Sequence, residues 1–174
     1  MKNQKCLVTG GAGFIGSHLS EKLVKCGAKV TILDNLSNGN INNIKSFKKK
    51  VKFIKFDLTT NLKNFDKIGY KFDYVFHLAA MADIVPSIED PNLYFNSNVL
   101  ATKNLVEYFK NKKIKKIIYA ASSSCYGIPK KYPTKEDEVI NPQYPYALTK
   151  NLGEQIILHW SKVYSIPSIS LRFF

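Results

Sequence analysis

Hydrophobic positions along the chain fall into two alternating kinds. Short β-branched or aliphatic runs occur at 6–9, 29–33, 51–56, 74–78, 117–121 and 168–173. They run nearly continuously apolar rather than alternating with polar residues, which predicts strands buried on both faces. Between them lie longer stretches with helical periodicity. Ile15, Leu19 and Leu23 recur every four residues up to Gly27, which predicts a helix stopped by a glycine. A second helix is predicted to start at Asp90-Pro91, a cap followed by a first-turn proline, and to run through Val99 and Leu105 to about Lys110. A third is predicted from Pro145, with Leu152, Ile156 and Val163 as its apolar face, ending before Pro167. Strands that alternate with helices predict an α/β fold: a doubly wound parallel sheet with helices on both faces. No repeat, linker or low-complexity segment interrupts the pattern.

Glycine spacing adds a ligand to this picture. Thr9-Gly10-Gly11-Ala12-Gly13-Phe14-Ile15-Gly16 follows the first strand and opens the first helix. Gly10, Gly13 and Gly16 give G-x-x-G-x-x-G, while Gly11 also completes G-x-G-x-x-G, so the spacing fits either form. Such a turn lets main chain approach a pyrophosphate that the helix N-terminus then attracts. Asp34 ends the second strand 18 residues beyond Gly16, near the separation expected for a carboxylate that binds an adenosine ribose. A carboxylate there repels a 2′-phosphate, which favours NAD over NADP. Asp34 also suits the Asp-Asn-Leu-Ser-Asn-Gly turn that it opens, and the two roles are compatible.

Candidate chemistry sits at two further places. Ala121-Ser122-Ser123-Ser124-Cys125-Tyr126-Gly127 lies at the carboxyl end of the fifth strand, the edge where open parallel sheets place their ligands. Tyr144-Pro145-Tyr146-Ala147-Leu148-Thr149-Lys150 follows. Lys150 is four residues beyond Tyr146 and on a helix shares its face, whereas Tyr144 precedes the helix. A lysine cation and a helix N-terminus both favour a phenolate over a phenol, which would make Tyr146 a base. A hydroxyl from this edge could polarise a substrate oxygen as Tyr146 takes its proton, with Lys150 holding the phenolate and the cofactor ribose.

Charge changes this picture little. The chain has 174 residues, enough for one domain, with 26 basic against 13 acidic side chains and a formal charge of +13. Arg172 is the sole arginine. Bidentate reading of bases and phosphates favours arginine, so scattered lysines predict solvated turns rather than a nucleic-acid surface. Cys6, Cys26 and Cys125 are too far apart for a C-x-x-C pair and predict neither a disulfide framework nor a zinc site, which fits a reducing, cytoplasmic setting. Cys125 reads as a small buried loop residue. His18, His77 and His159 lack ligand spacing, so no metal is expected, and no apolar run reaches membrane-spanning length.

Taken in order, the glycine loop, Asp34-Asn35, His77-Leu78-Ala79-Ala80, Ser122 to Gly127 and Tyr146 to Lys150 resemble the extended short-chain dehydrogenase/reductase family. More narrowly, they look like its NAD-dependent nucleotide-sugar epimerase/dehydratase branch. The resemblance implies Ser122, Tyr146 and Lys150 as catalytic residues. It implies cofactor contacts from Gly10, Gly13, Phe14, Ile15, Gly16, Asp34, Asn35, Asp57, Leu58, Ala79, Ala80, Asn98, Tyr146, Lys150 and Phe173. Asn98 is expected against the strand carrying Ser122, Asp57-Leu58 near adenine, and Arg172-Phe173-Phe174 along the nicotinamide end. Asp57 fits equally well as a cap for the turn that follows it. Sugar dehydratases of this branch carry Asp-Glu after the catalytic hydroxyl, where this chain has Ser123-Ser124, so the resemblance favours C4 epimerisation over dehydration, and Met81 to Ser87 together with Ser122 to Gly127 look closest to epimerases of UDP-hexoses or UDP-N-acetylhexosamines. A homodimer through the helices that start near Pro91 and Pro145 is also implied. Ala101 stands where the family's N-V-x-G-T pattern has glycine. The family continues past Phe174 with another strand and a smaller substrate region. Residues 1–174 are therefore expected to be its NAD-binding Rossmann domain, either as a fragment or as a cofactor-binding half without turnover.

Overall fold

A computed structural model describes every residue except Lys130. Six parallel strands, β1 (Lys5–Thr9), β2 (Lys29–Asp34), β3 (Lys52–Lys55), β4 (Tyr74–His77), β5 (Lys116–Ser122) and β6 (Ser168–Phe173), form one sheet in the order β3-β2-β1-β4-β5-β6. Each expected strand is present within two residues of its predicted ends. Strand order reverses between β1 and β4, so the loops leaving their carboxyl ends diverge and open a crevice. Register puts Thr9 of β1 beside both Leu33 and His77, and His77 beside Tyr119.

Side chains of β1 alternate between two cores. Cys6 and Val8 pack with Leu23, Val30, Ile32 and Phe47 on one face, and Leu7 packs with Leu33, Leu105, Ile117 and Ile157 on the other. This is the doubly wound arrangement. The opposite edge of the sheet has a different chemistry: β1, β2, β3 and β5 each begin with an exposed lysine, namely Lys5, Lys29, Lys52 and Lys116. Lysines dispersed in sequence are thus gathered along the amino edge.

Helix α1 (Phe14–Lys25) starts at the glycine loop as expected, but Ile15 is 52% exposed and does not join the core. Its buried face is Gly16, Ser17, Ser20 and Leu23. The long second helix is a composite: α2 (Val85–Glu89), α3 (Pro91–Tyr94), a wide π turn over Phe95–Leu100, and α4 (Ala101–Phe109). The Asp90 side chain caps α3 by accepting the Leu93 N–H at 3.0 Å. Helix α5 (Pro145–Tyr164) begins at the predicted proline, yet its buried face is Ala147, Thr149, Lys150, Asn151, Gly153, Glu154 and Ile157, and Val163 is exposed. The reason is close packing: a Cβ on Gly153 would overlap the Tyr119 hydroxyl and come within 3.1 Å of the Asn98 carbonyl, so the helix lies nearly on the sheet and small or polar residues fill the contact.

Candidate active site

A continuous trough runs along the carboxyl edge in two halves that share Leu78, Ala80, Met81 and Ala82 as a common wall. The first half is built largely by main-chain geometry. Gly10 has φ +66, and a Cβ there would come within 2.7 Å of the Ala79 nitrogen, so this turn needs glycine on both counts. A Cβ on Gly16 would overlap the Gly10 carbonyl oxygen, which fixes how tightly α1 sits on the loop. Gly13 lines the trough, and its Cβ would meet only the Gly10 carbonyl, at 3.2 Å. Space on the trough side is what Gly13 preserves. Helix α1 has no side-chain cap and no acidic residue in its first turn, so its opening N–H groups and positive dipole remain for an anion.

Two carboxylates stand beyond the loop. Asp34, 6% exposed, accepts the Ala12 N–H at 2.9 Å and the Leu36 N–H at 2.8 Å, one on each oxygen. Each oxygen keeps acceptor capacity for a ribose hydroxyl, while the second contact closes the turn that Asp34 opens. Asp57 accepts the Thr59 N–H at 2.8 Å, the Thr59 hydroxyl at 2.7 Å and an Asn35 amide N–H at 3.1 Å. Partial burial opposes its ionisation, but these donors outweigh burial and hold it below the ordinary carboxylate range. Asp57 therefore caps its turn and also lines the trough, with Asn35, Leu58 and Ala79 beside it. Ala101 is buried and lines this half as well, so its methyl is accommodated at the trough wall.

The second half gathers Ile15, Ser122, Ser123, Ser124, Tyr126, Tyr146, Lys150, Phe173 and Phe174. Ser122 ends β5 and caps the short 3₁₀ turn Ser123–Tyr126, accepting the Ser124 N–H at 3.2 Å, and its hydroxyl is 2.7 Å from that of Ser124. Tyr146 sits in the first turn of α5, where its ring meets Tyr94 edge-on at 6.4 Å. Lys150 is buried with its ammonium 4.5 Å from the Tyr119 ring centroid. Burial pushes its pKa down to about 7, with the Glu154 carboxylate pulling the other way.

A buried polar chain runs behind the shared wall. The Thr102 hydroxyl donates to the Asn98 carbonyl at 2.6 Å, so it must accept from His77 Nε2–H at 2.9 Å. That tautomer leaves Nδ1 to accept the Thr9 hydroxyl at 2.7 Å, and Thr9 in turn accepts the Leu78 and Ala79 N–H groups, each at 3.2 Å. His77 is fully buried, and burial, followed by the Lys150 charge, lowers its pKa to about 3.

Two expected residues lie elsewhere. Gly16 lines neither half and acts by helix packing. The Asn98 side chain accepts the Met81 N–H at 2.7 Å and donates to the Met81 carbonyl and the Thr149 hydroxyl, each at 3.0 Å. It braces the shared wall against α5, not β5, because the π turn carries it toward the loop after β4. Arg172 is a third correction: with alternation along β6, Phe173 faces the trough while Arg172 turns to Glu154 and Tyr126. Met81, Ala82 and Ser97 also line the first half and are not among the expected contacts. Among the described residues no cluster of three metal-ligating side chains occurs, and no helix is long and apolar enough to cross a membrane.

Residues 6–174 match the NAD dependent epimerase/dehydratase family. The UDP-glucose 4-epimerase of Lactobacillus helveticus is 37% identical over 171 residues, covering 98% of this chain and 51% of that protein. A UDP-N-acetylglucosamine 4-epimerase from Methanobrevibacter ruminantium, solved with UDP-N-acetylmuramic acid, superposes with a TM-score of 0.92 at 39% identity, over 100% of this chain and 56% of that one. A Thermus thermophilus UDP-glucose 4-epimerase solved with NAD gives 0.88 at 35% identity, over 97% and 54%. The chain thus spans about half the length of the relatives it matches.

Proposed function

Because the chain belongs to the NAD-dependent epimerase/dehydratase family, we propose that it is the NAD-binding portion of a nucleotide-sugar 4-epimerase acting on a UDP-hexose or UDP-N-acetylhexosamine. The observation that carries this reading is the common half-trough of Ser122, Tyr146 and Lys150, joined by one wall to the half built from Gly13, Asp34 and Asp57. Gly13 and the start of α1 receive the pyrophosphate, Asp34 a ribose, and Leu58 with Asp57 the adenine end. Bound NAD supplies a reversible two-electron oxidation at the sugar's C4.

Tyr146 takes the proton of the 4-hydroxyl as the 4-keto sugar forms, and returns it when the opposite configuration is made. Ser122 hydrogen-bonds the same oxygen. Lys150, with a proton affinity close to neutral, can hold or pass a proton behind Tyr146 without a large energetic step. Ser123 and Ser124 offer no carboxyl to expel water, which supports epimerisation over dehydration. We also place the protein in the cytoplasm as a homodimer, a pairing supported by the exposed apolar residues Leu93, Phe95, Leu100 and Leu148 on the composite helix and α5.

The test combines NAD binding by calorimetry with UDP-glucose C4 epimerisation. Tyr146→Phe is expected to cut turnover by about a hundredfold or more while leaving NAD affinity within a few-fold. No NAD binding by the wild type would remove the cofactor reading. Binding without turnover would leave a cofactor-binding half alone.

A further inference from the structure

Twenty-six basic side chains include a single arginine, Arg172, and it occupies a place that a lysine's point charge cannot fill. Its Nε–H faces both oxygens of Glu154, at 3.2 and 3.0 Å. Its Nη1 donates to the Tyr126 hydroxyl at 2.7 Å and to the Glu136 carbonyl at 3.1 Å. The guanidinium carbon lies 4.9 Å from the Tyr126 ring centroid. One planar group thus joins four segments: β6, α5 one turn beyond Lys150, the 3₁₀ turn after β5, and the loop leading to α5. The loop's neck is closed by the Asn141 N–H donating to the Cys125 carbonyl at 2.9 Å. Tyr126, Gly127, Tyr132 and Thr134 from these segments form the outer wall of the second half-trough. Glu154 is buried, so its charge requires a partner, and Arg172 is its direct ion pair.

We infer that Arg172 is a positioning residue that fixes the Tyr126 wall on the substrate side of the trough. The inference rests on the reading above that this half receives the sugar. Arg172 is absent from the lining of both halves, so its effect is indirect. Because the first half is shaped by Gly10, Gly16, Asp34 and Asp57 without Arg172, substrate affinity should depend on it and cofactor affinity should not.

The test compares Arg172→Lys, which keeps the charge and loses the fork, with Tyr126→Phe, which keeps the ring and removes one acceptor. Three readouts are needed on the full 174-residue chain: NAD affinity by calorimetry, KM and kcat for UDP-glucose, and amide hydrogen exchange across 123–141. For Arg172→Lys we expect NAD affinity within about twofold, KM raised about tenfold with kcat nearly unchanged, and faster exchange in 123–141 but not in 10–35. Tyr126→Phe should show the same pattern more weakly. Wild-type behaviour of Arg172→Lys in exchange and KM would overturn the inference, as would a matching fall in NAD affinity in a folded variant. If the wild type does not turn over UDP-glucose, the functional reading fails separately, and the exchange contrast alone decides whether Arg172 holds this wall.

Discussion

Around Gly10 and Gly16 the trough is main chain packed on main chain, whereas around Lys150 it is lined and backed by buried polar groups that must each find a partner. The first region is held by steric exclusion, which does not respond to protons. The second contains a lysine whose pKa burial lowers to about 7 and a histidine that burial keeps neutral at physiological pH. Near neutral pH, titration therefore acts on the chemistry-bearing half and leaves the dinucleotide half alone. A fold can thus bind its cofactor over a wide pH range while the groups next to the reaction remain sensitive.

The largest expected effect tests the second region. Lys150 has a folded pKa of about 7 against an ordinary value of 10.5, so the unfolded chain binds the extra proton between those limits. Its burial therefore costs stability fully below pH 7, and the cost fades as pH rises toward 10.5. Lys150→Met should stabilise the fold by on the order of 4 kcal/mol at pH 6 and by much less at pH 10, measured by urea unfolding, while abolishing turnover. An equal gain at both pH values would show that Lys150 is not strained by its charge.

Gly16→Ala probes the steric half. Overlap with the Gly10 carbonyl should cost about 3 kcal/mol, equally at pH 6 and pH 10, and a pH-dependent loss would blur the distinction. His77 comes next. Its folded pKa of about 3 lies below the ordinary 6.5, so its contribution is intact above pH 6.5 and is lost as pH falls. Between pH 7 and pH 5 the wild type should lose about 2 kcal/mol that His77→Gln does not. The smallest change in stability is expected from Gly13→Ala, within about 0.5 kcal/mol, with NAD bound about tenfold more weakly by calorimetry. Unchanged NAD affinity would show that the space beside Gly13 is not used.

These two regions also differ in how far the sequence revealed them. The strands, the glycine loop, Asp34 and the start of α5 at Pro145 are local features, each set by neighbours within a few residues. The buried face of α5 was misread because Thr149, Lys150, Asn151 and Glu154 look like a solvated surface; only Gly153 hints that the helix lies hard against the sheet. Periodicity alone misplaces Ile15, an apolar residue at core spacing that faces the ligand space, where the family resemblance puts it. The π turn over Phe95–Leu100 has no periodicity of its own, yet it turns Asn98 toward Met81 and Thr149. His77 shows no ligand spacing in the sequence, and its bonds to Thr9 and Thr102 join residues 68 and 25 positions away. Local patterns located the site, and long-range contacts determined which atoms face it.

The lysines that start four of the strands also bear on behaviour in salt. From Lys116 to Ser122, β5 has seven residues, so its charged start lies roughly 20 Å from the trough. At physiological ionic strength an exposed charge is screened over about 8 Å, and the trough is largely shielded from the amino edge. At 0.01 M salt the screening length grows to about 30 Å and that edge reaches the mouth. Association rates for nucleotides carrying two or more phosphates should therefore rise in dilute buffer, although no amino-edge lysine lines the trough. Rates measured there would overstate how fast the site fills under cellular conditions.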